Sequence, residues 1–153
     1  MLGLAPHIAS RREDHGADSK GRWTWVQLTG KQGKSILVVT AYRVSQTYPS
    51  EAGYSTAYMQ QYRAYIKENV SNPRPKQRIL KDLTTLITQW RNNNNNSSVI
   101  VMLDANGDDS DAHFSTFLAD TDLHDAVTHH SPELRSQSTY INGRKRLDYI
   151  LVS

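Results

Sequence analysis

The sequence Val99-Ile100-Val101-Met102-Leu103-Asp104-Ala105-Asn106-Gly107-Asp108 runs from a continuous apolar stretch straight into Asp-x-Asn-Gly. On an extended segment, side chains i and i+2 point the same way. Asp104 and Asn106 therefore project together from a strand end, the usual place for a site in an α/β sheet. A carboxylate there takes a proton from water, and a neighbouring amide orients the water or a phosphate oxygen, which is hydrolytic chemistry. The same residue types also build turns, and an Asx turn capping the next helix is the competing reading.

A second acid, Asp148, is embedded in the apolar run Leu147–Val152. Burying a carboxylate in such a strand costs several kcal/mol without a partner, so Asp148 is either a site residue or faces water. A third segment, Val38-Val39-Thr40-Ala41-Tyr42-Arg43, ends in a phenol and a guanidinium. Both donate well to phosphate, and Arg43 is the candidate phosphate binder. His124, His129 and His130 read as surface residues. His129 and His130 would point apart in a strand, so they suggest no shared metal. No P-loop, dinucleotide fingerprint, His-Glu-x-x-His or Gly-x-Ser-x-Gly occurs.

These positions need elements to hold them. Arg22–Leu28 alternates with both faces largely apolar and reads as a covered strand. Gly30-Lys31-Gln32-Gly33 signals a hairpin to a partner strand over Ser35–Ala41. Thr56–Asn69 reads as a helix with Tyr58, Tyr62, Tyr65 and Ile66 on one face, the tyrosines packing rather than stacking on bases. Gln77–Trp90 is the strongest helix, with Ile79, Leu80, Leu83, Leu86, Ile87 and Trp90 at helical spacing. A loop over Asn92–Ser98 ends it. Val99–Leu103 is a buried strand, Ser110–Leu118 a short helix capped by Ser110 or Asp109, and Leu147–Val152 the last strand. Residues 1–20 read as a loop or surface segment. The mixed order predicts layered α/β packing.

The 153 residues suit one compact domain. No cysteine is present, which excludes a disulfide scaffold, a thiolate metal site and a cysteine nucleophile. That composition is compatible with a reducing compartment. No apolar run is long enough to span a bilayer, the N-terminus lacks a signal-peptide pattern, and no membrane partner is expected. The net charge of +3 hides an asymmetry. Residues 1–91 carry 14 basic and 6 acidic side chains; residues 92–153 carry 4 and 9. A basic first part favours a polyanion such as nucleic acid. The later acid cluster suits a hard cation.

In sequence order, these segments resemble the endonuclease/exonuclease/phosphatase superfamily, most closely the endonuclease domains of non-long-terminal-repeat retroelements. The residues concerned are Gly21-Arg22-Trp23, Val39-Thr40-Ala41-Tyr42, Leu103-Asp104-Ala105-Asn106-Gly107-Asp108, Leu123-His124-Asp125-Ala126, and Thr139-Tyr140 through Arg146-Leu147-Asp148-Tyr149-Ile150-Leu151. The resemblance spans roughly residues 21–153 and implies a four-layer α/β sandwich of the deoxyribonuclease-I-like kind, incomplete at both ends. It implies Mg²⁺-assisted attack of water on a phosphodiester, with Mn²⁺ as a substitute metal and DNA as partner. By position, Asp104 resembles the acid that activates water and Asn106 the residue that orients water and phosphate. Tyr42 resembles the phosphate-contacting tyrosine, and Asp148 the acid that orients a catalytic histidine.

The chain also departs from that pattern. Family members carry an Asn and then a metal-binding Glu upstream of the matched region, and Glu13 is a poor substitute. They end in a Ser-Asp-His segment beyond the last matched strand. The metal carboxylate and the phosphate-binding histidine are therefore expected to be missing, and the isolated chain is expected to turn over little or not at all. Two other readings compete: a non-catalytic nucleic-acid-binding remnant, and a phosphoesterase of the same superfamily acting on a small phosphate ester or lipid.

Overall fold

The computed structural model describes residues 3–95, 97–108, 110–134, 137–139 and 143–153. Asp109 and Tyr140, both used in the sequence reading, lie outside them. One six-stranded sheet has the order β1-β2-β3-β4-β6-β5. Its centre is the hairpin of β2 (Trp23–Thr29) and β3 (Ser35–Tyr42), paired antiparallel from Trp23↔Ala41 to Thr29↔Ser35. Gln32 and Gly33 both take left-handed backbone in the connection, the conformation that matches strand twist in tight hairpins. β3 then runs parallel to β4 (Ser97–Asp104), and β4 antiparallel to β6 (Asp148–Val152). The two-residue β5 (His124–Asp125) closes that edge.

The segment read as loop before residue 21 is partly a strand. Pro6–Ala9 forms a single helical turn, α1, and Arg12–Ala17 forms β1, antiparallel to β2 at the sheet edge. Its side chains are almost all exposed, so alternation is invisible and only backbone pairing defines the strand. Charge on an edge strand also discourages pairing with other chains.

Helices cover one face. α2 (Ala57–Lys67) starts at Thr56, whose Oγ1 accepts from Met59 N–H at 3.4 Å. Tyr58 and Tyr65 are buried and Tyr62 stacks on Tyr58 at 6.1 Å, as packing requires. Ile66, expected on that face, is 47% exposed. It stands one residue, about 100°, off the Tyr58–Tyr65 stripe, and that edge meets water. α3 (Pro75–Asn93) buries Ile79, Leu80, Leu83, Ile87 and Trp90 against Leu37, Val39, Val99, Val101, Leu103 and Leu151. Trp90 Nε1 donates to Gln27 Oε1 at 2.9 Å, satisfying a polar atom at the core's edge. α4 (Ala112–Thr121) is capped by Asp111, not by Ser110. Asp111 Oδ1 accepts from His113 N–H at 3.0 Å and Phe114 N–H at 3.3 Å. A one-turn helix, α5 (Ala126–His130), follows β5.

The other sheet face carries Val38, Thr40, Ile100, Met102 and Ile150, which are only half-buried or exposed. The described residues thus supply one sheet and one helical layer of the four layers expected.

Three arginines lie inside the fold. Arg22, Arg43 and Arg146 are 3%, 1% and 7% exposed, and each is bound by an aspartate. Arg22 holds Asp18 through two bonds of 2.7 Å and Asp82 at 2.6 Å. Arg43 holds Asp111 at 2.7 Å. Arg146 holds Asp125 through both terminal nitrogens. Burial pushes these three partner carboxyls (Asp18, Asp111 and Asp125) up, but the guanidinium bonds and charge outweigh it and leave them below the usual value. A lowered folded pKa contributes stability above the unfolded value, 3.8, that is lost as pH falls through the folded one. Urea midpoints are therefore expected to hold from pH 7 to about 5 and to drop below about pH 4. A midpoint that rises on acidification would contradict this.

Candidate active site

Register brings three of the expected residues into a row. Tyr42 is the parallel partner of Asp104, and Asp104 is the antiparallel partner of Asp148. The row crosses three adjacent strands, whose axes stand about 4.8 Å apart. Alternation turns all three side chains to the face opposite the helices. Tyr42 is 43% exposed, Asp148 is exposed and Asp104 is half-buried. Asp148 faces water, so the cost of burial is not what singles it out; register with Asp104 does.

A cavity of about 600 Å³ opens on this row, lined by Asp104, Asp148, Met102, Ile150, Thr40 and Arg146. Thr40 Oγ1 is buried in its wall with no hydrogen-bond partner among the described residues. Burial pushes the Asp104 carboxyl up and the nearby Asp148 charge adds to this, against a pull down from the Asn106 N–H. An acid so placed is a better proton acceptor than a free carboxylate.

Asn106 sits over Asp104. Its N–H donates to Asp104 Oδ1 at 3.2 Å, so the Asx turn exists, but it does not cap α4. Asn106 has φ 41°, left-handed backbone that asparagine tolerates better than most residues. Its Nδ2 donates to the Arg43 carbonyl at 2.6 Å, tying the loop to the end of β3. The Arg43 N–H in turn donates to the Asp104 carbonyl at 2.9 Å, extending the parallel ladder one step.

Arg43 does not take the phosphate-binding place expected of it. Its guanidinium is buried, with Nε donating to the Lys76 carbonyl at 2.7 Å. Nη1 donates to the Ala105 carbonyl at 3.2 Å and pairs with Asp111. Alternation explains this: Arg43 follows Tyr42, so it points to the helical side while Tyr42 points to the opposite face. It fastens the underside of the Asp104–Asp108 loop to α3 and α4. Gly107 lies against that clamp. A Cβ there would stand 2.9 Å from Arg43 Nη1 and 2.9 Å from Asp111 Oδ2.

Sequence chemistry passed over Thr139. Its Oγ1 accepts from the N–H groups of Leu147 and Asp148, at 3.0 and 3.2 Å, and so fixes the start of β6. The only signal for it was its place in a matched segment. Glu13 accepts from Gln27 Nε2 and Thr29 Oγ1, both at 2.6 Å. Gln27 pairs with Leu37, five residues below Tyr42 along β3, or about 17 Å from the row. The rings of His124, His129 and His130 lie together, 5.1 and 5.4 Å between centroids, rather than apart. They fall on β5 and α5, not on one strand, and none lines the cavity.

Among the described residues, no group of three or more His, Asp or Glu side chains is placed to hold a metal ion. Asp104 and Asp148 are adjacent in register, and Mg²⁺ is commonly held by one or two carboxylates with substrate phosphate and water. Burial first, and the Asp148 charge after it, raise Asp104, and a nearby cation would oppose both.

No family model matches this chain, and no curated protein does. Solved structures do. The catalytic domain of human Nocturnin with bound sulfate superposes with a TM-score of 0.54 at 15% identity, covering 93% of this chain and 47% of that one. A humanized D. rerio TDP2 gives 0.52 at 12% identity over 93% and 51%. A truncated Caenorhabditis elegans TDP2 gives 0.51 at 10% identity over 93% and 52%. All three are endonuclease/exonuclease/phosphatase-fold proteins, and this chain has that deoxyribonuclease-I-like α/β fold. The chain spans about half the length of each.

Proposed function

We propose that the chain carries the phosphodiester-hydrolysing site of a Mg²⁺-dependent DNA endonuclease of the retroelement type. One observation carries the hydrolytic reading: Tyr42, Asp104 and Asp148 stand in register across three strands, and Asp104 and Asp148 line one cavity. The retroelement reading rests on the ordered segments from Gly21 to Leu151.

The residues divide the work as follows. Asp104, held up by burial, accepts the proton of a water attacking phosphorus in line. Tyr42 donates its hydroxyl to a non-bridging phosphate oxygen. Asn106 carries two amide protons; Arg43 takes one, and the other points a phosphate oxygen toward Asp104. Asp148 would hold the magnesium ion together with substrate phosphate and water, and the ion would supply charge neutralisation at the phosphate when bound. No histidine lines the cavity among the described residues, so a poor leaving group goes unprotonated.

The expected result follows from that last point. In Mg²⁺ the chain should hydrolyse bis(p-nitrophenyl) phosphate, whose leaving group needs no acid, better than it nicks supercoiled plasmid. Asp148→Asn should lower both rates about 100-fold. Hydrolysis that survives chelation, or that is indifferent to Asp148→Asn, would sink the assignment. A second reading, a nucleic-acid-binding remnant, is favoured by the two-carboxylate site. It gains the lead if neither substrate is cleaved.

A further inference from the structure

The two most exposed tyrosines among the described residues lie off the catalytic row. Tyr54 is 81% and Tyr48 is 48% exposed. Each carries a guanidinium on one ring face: Arg63 at 3.6 Å from the Tyr54 centroid, Arg74 at 4.8 Å from that of Tyr48. The arginines pin the rings and leave the opposite faces for a planar partner. The loop that presents Tyr48 is itself fastened, since Glu51 Oε2 accepts from the N–H groups of Thr47 and Tyr48 at 2.7 and 3.2 Å.

Arg74 links Tyr48 to a basic stripe. Arg74, Arg78 and Lys81 fall at i, i+4 and i+7 along the start of α3, on one side of the helix. With Ser71, Asn72 and Gln77 they line a cleft of about 180 Å³. No carboxylate lines it. Among the described residues none pairs with Arg74 or Lys81, and Arg78 reaches only Asp82, at 3.8 Å. Asp82 is already held by Arg22 at 2.6 Å, and Glu68 by Lys20 at 2.6 Å. The cations are therefore left facing solvent. Lys76, two residues beyond Arg74 and so about 200° round the helix, bonds the Ser45 carbonyl at 2.9 Å and is not part of the stripe.

We infer that this surface binds a single-stranded stretch of nucleic acid, with unpaired bases on Tyr54 and Tyr48 and backbone phosphates on Arg74, Arg78 and Lys81. Flat rings with one open face suit unpaired bases, and cations without carboxylates suit phosphodiesters. The inference rests on the reading of the substrate as a nucleic acid; it names the form of that substrate and where it lies outside the row of Tyr42, Asp104 and Asp148.

The test is fluorescence anisotropy of a labelled oligothymidine against the whole chain in chelator, so that nothing is cleaved. Each phosphate contact on a single strand adds about 0.7 to the slope of log affinity against log salt. Arg74→Ala/Arg78→Ala/Lys81→Ala should lower that slope by about 2, and the fully exposed-face double variant Arg78→Ala/Lys81→Ala by about 1.4. Tyr54→Ala should weaken binding about tenfold with the slope unchanged. An unchanged slope in the double variant, no effect of Tyr54→Ala, or binding to phosphatidylserine vesicles but not to the oligonucleotide overturns the inference. Binding as expected without hydrolysis of any ester would leave it standing and remove the hydrolase reading. Hydrolysis without oligonucleotide binding would do the reverse.

Discussion

Asp104→Asn is expected to abolish hydrolysis and to make the protein more stable. The fold disfavours the charged carboxyl, through burial first and then through Asp148. A folded pKa raised above the unfolded one means that stability falls as pH rises through the interval between them. Asparagine removes that loss and still offers an oxygen to the Asn106 N–H. The variant should melt about 1–3 °C higher at pH 7, with the advantage shrinking toward pH 3, where the parent is protonated. Activity should fall about 10²–10⁴-fold, the worth of a positioned base. Melting curves at the two pH values and rates on the activated diester check both halves. Equal melting at pH 7, or surviving activity, would remove Asp104 from its role. The pH trend of this residue opposes that of Asp18, Asp111 and Asp125, so the two are separable by experiment.

Arg43→Ala carries the largest expected loss of stability. It leaves the half-buried Asp111 without its cation and strips the Lys76 and Ala105 carbonyls of a donor. Breaking one partner out of a buried pair costs about 3–5 kcal/mol. For a domain of this size that lowers the melting temperature by about 6–20 °C. Arg43→Lys should fail nearly as badly, because one ammonium cannot meet three acceptors spread over a planar fork. Arg43→Met/Asp111→Asn should recover part of the loss, since an apolar stem of similar length leaves no orphaned charge. Urea unfolding of the four proteins checks these outcomes. An Arg43→Ala variant within about 1 kcal/mol of the parent would refute the clamp.

Much of the scaffold was legible because its signals are local. The Ile79–Trp90 periodicity marks α3, the Val99–Leu103 run marks β4, and the Gly-Lys-Gln-Gly connection marks the hairpin. Asp104 and Asp148 were legible as acids at the ends of apolar runs. Their pairing was not, because register is a property of two strands. β1 escaped because its exposed side chains carry no period, and Arg43 because charge reads as surface. The groups that neutralise Arg43 lie far along the chain; even Asn106, bonded to its carbonyl, is 63 residues away. The tyrosines divided in a way that no single segment reveals. Tyr58 and Tyr65 entered the core, while Tyr48 and Tyr54 stayed outside under arginines.

The loop fastened by Arg43 also governs how the protein ages. Asn106 precedes Gly107, a dipeptide in which the glycine amide nitrogen readily attacks the asparagine side chain and expels ammonia. That reaction needs the side chain to swing back over its own backbone. Here the Arg43 carbonyl holds the amide away, and the clamp beneath Gly107 keeps the chain in a left-handed turn. Deamidation at Asn106 thus requires the loop to lift, and its rate in stored protein becomes a chemical clock for that lifting. Ring closure with loss of ammonia leaves a succinimide, which water opens mainly to isoaspartate, putting a new carboxylate on a lengthened backbone beside Asp104 and Asp148.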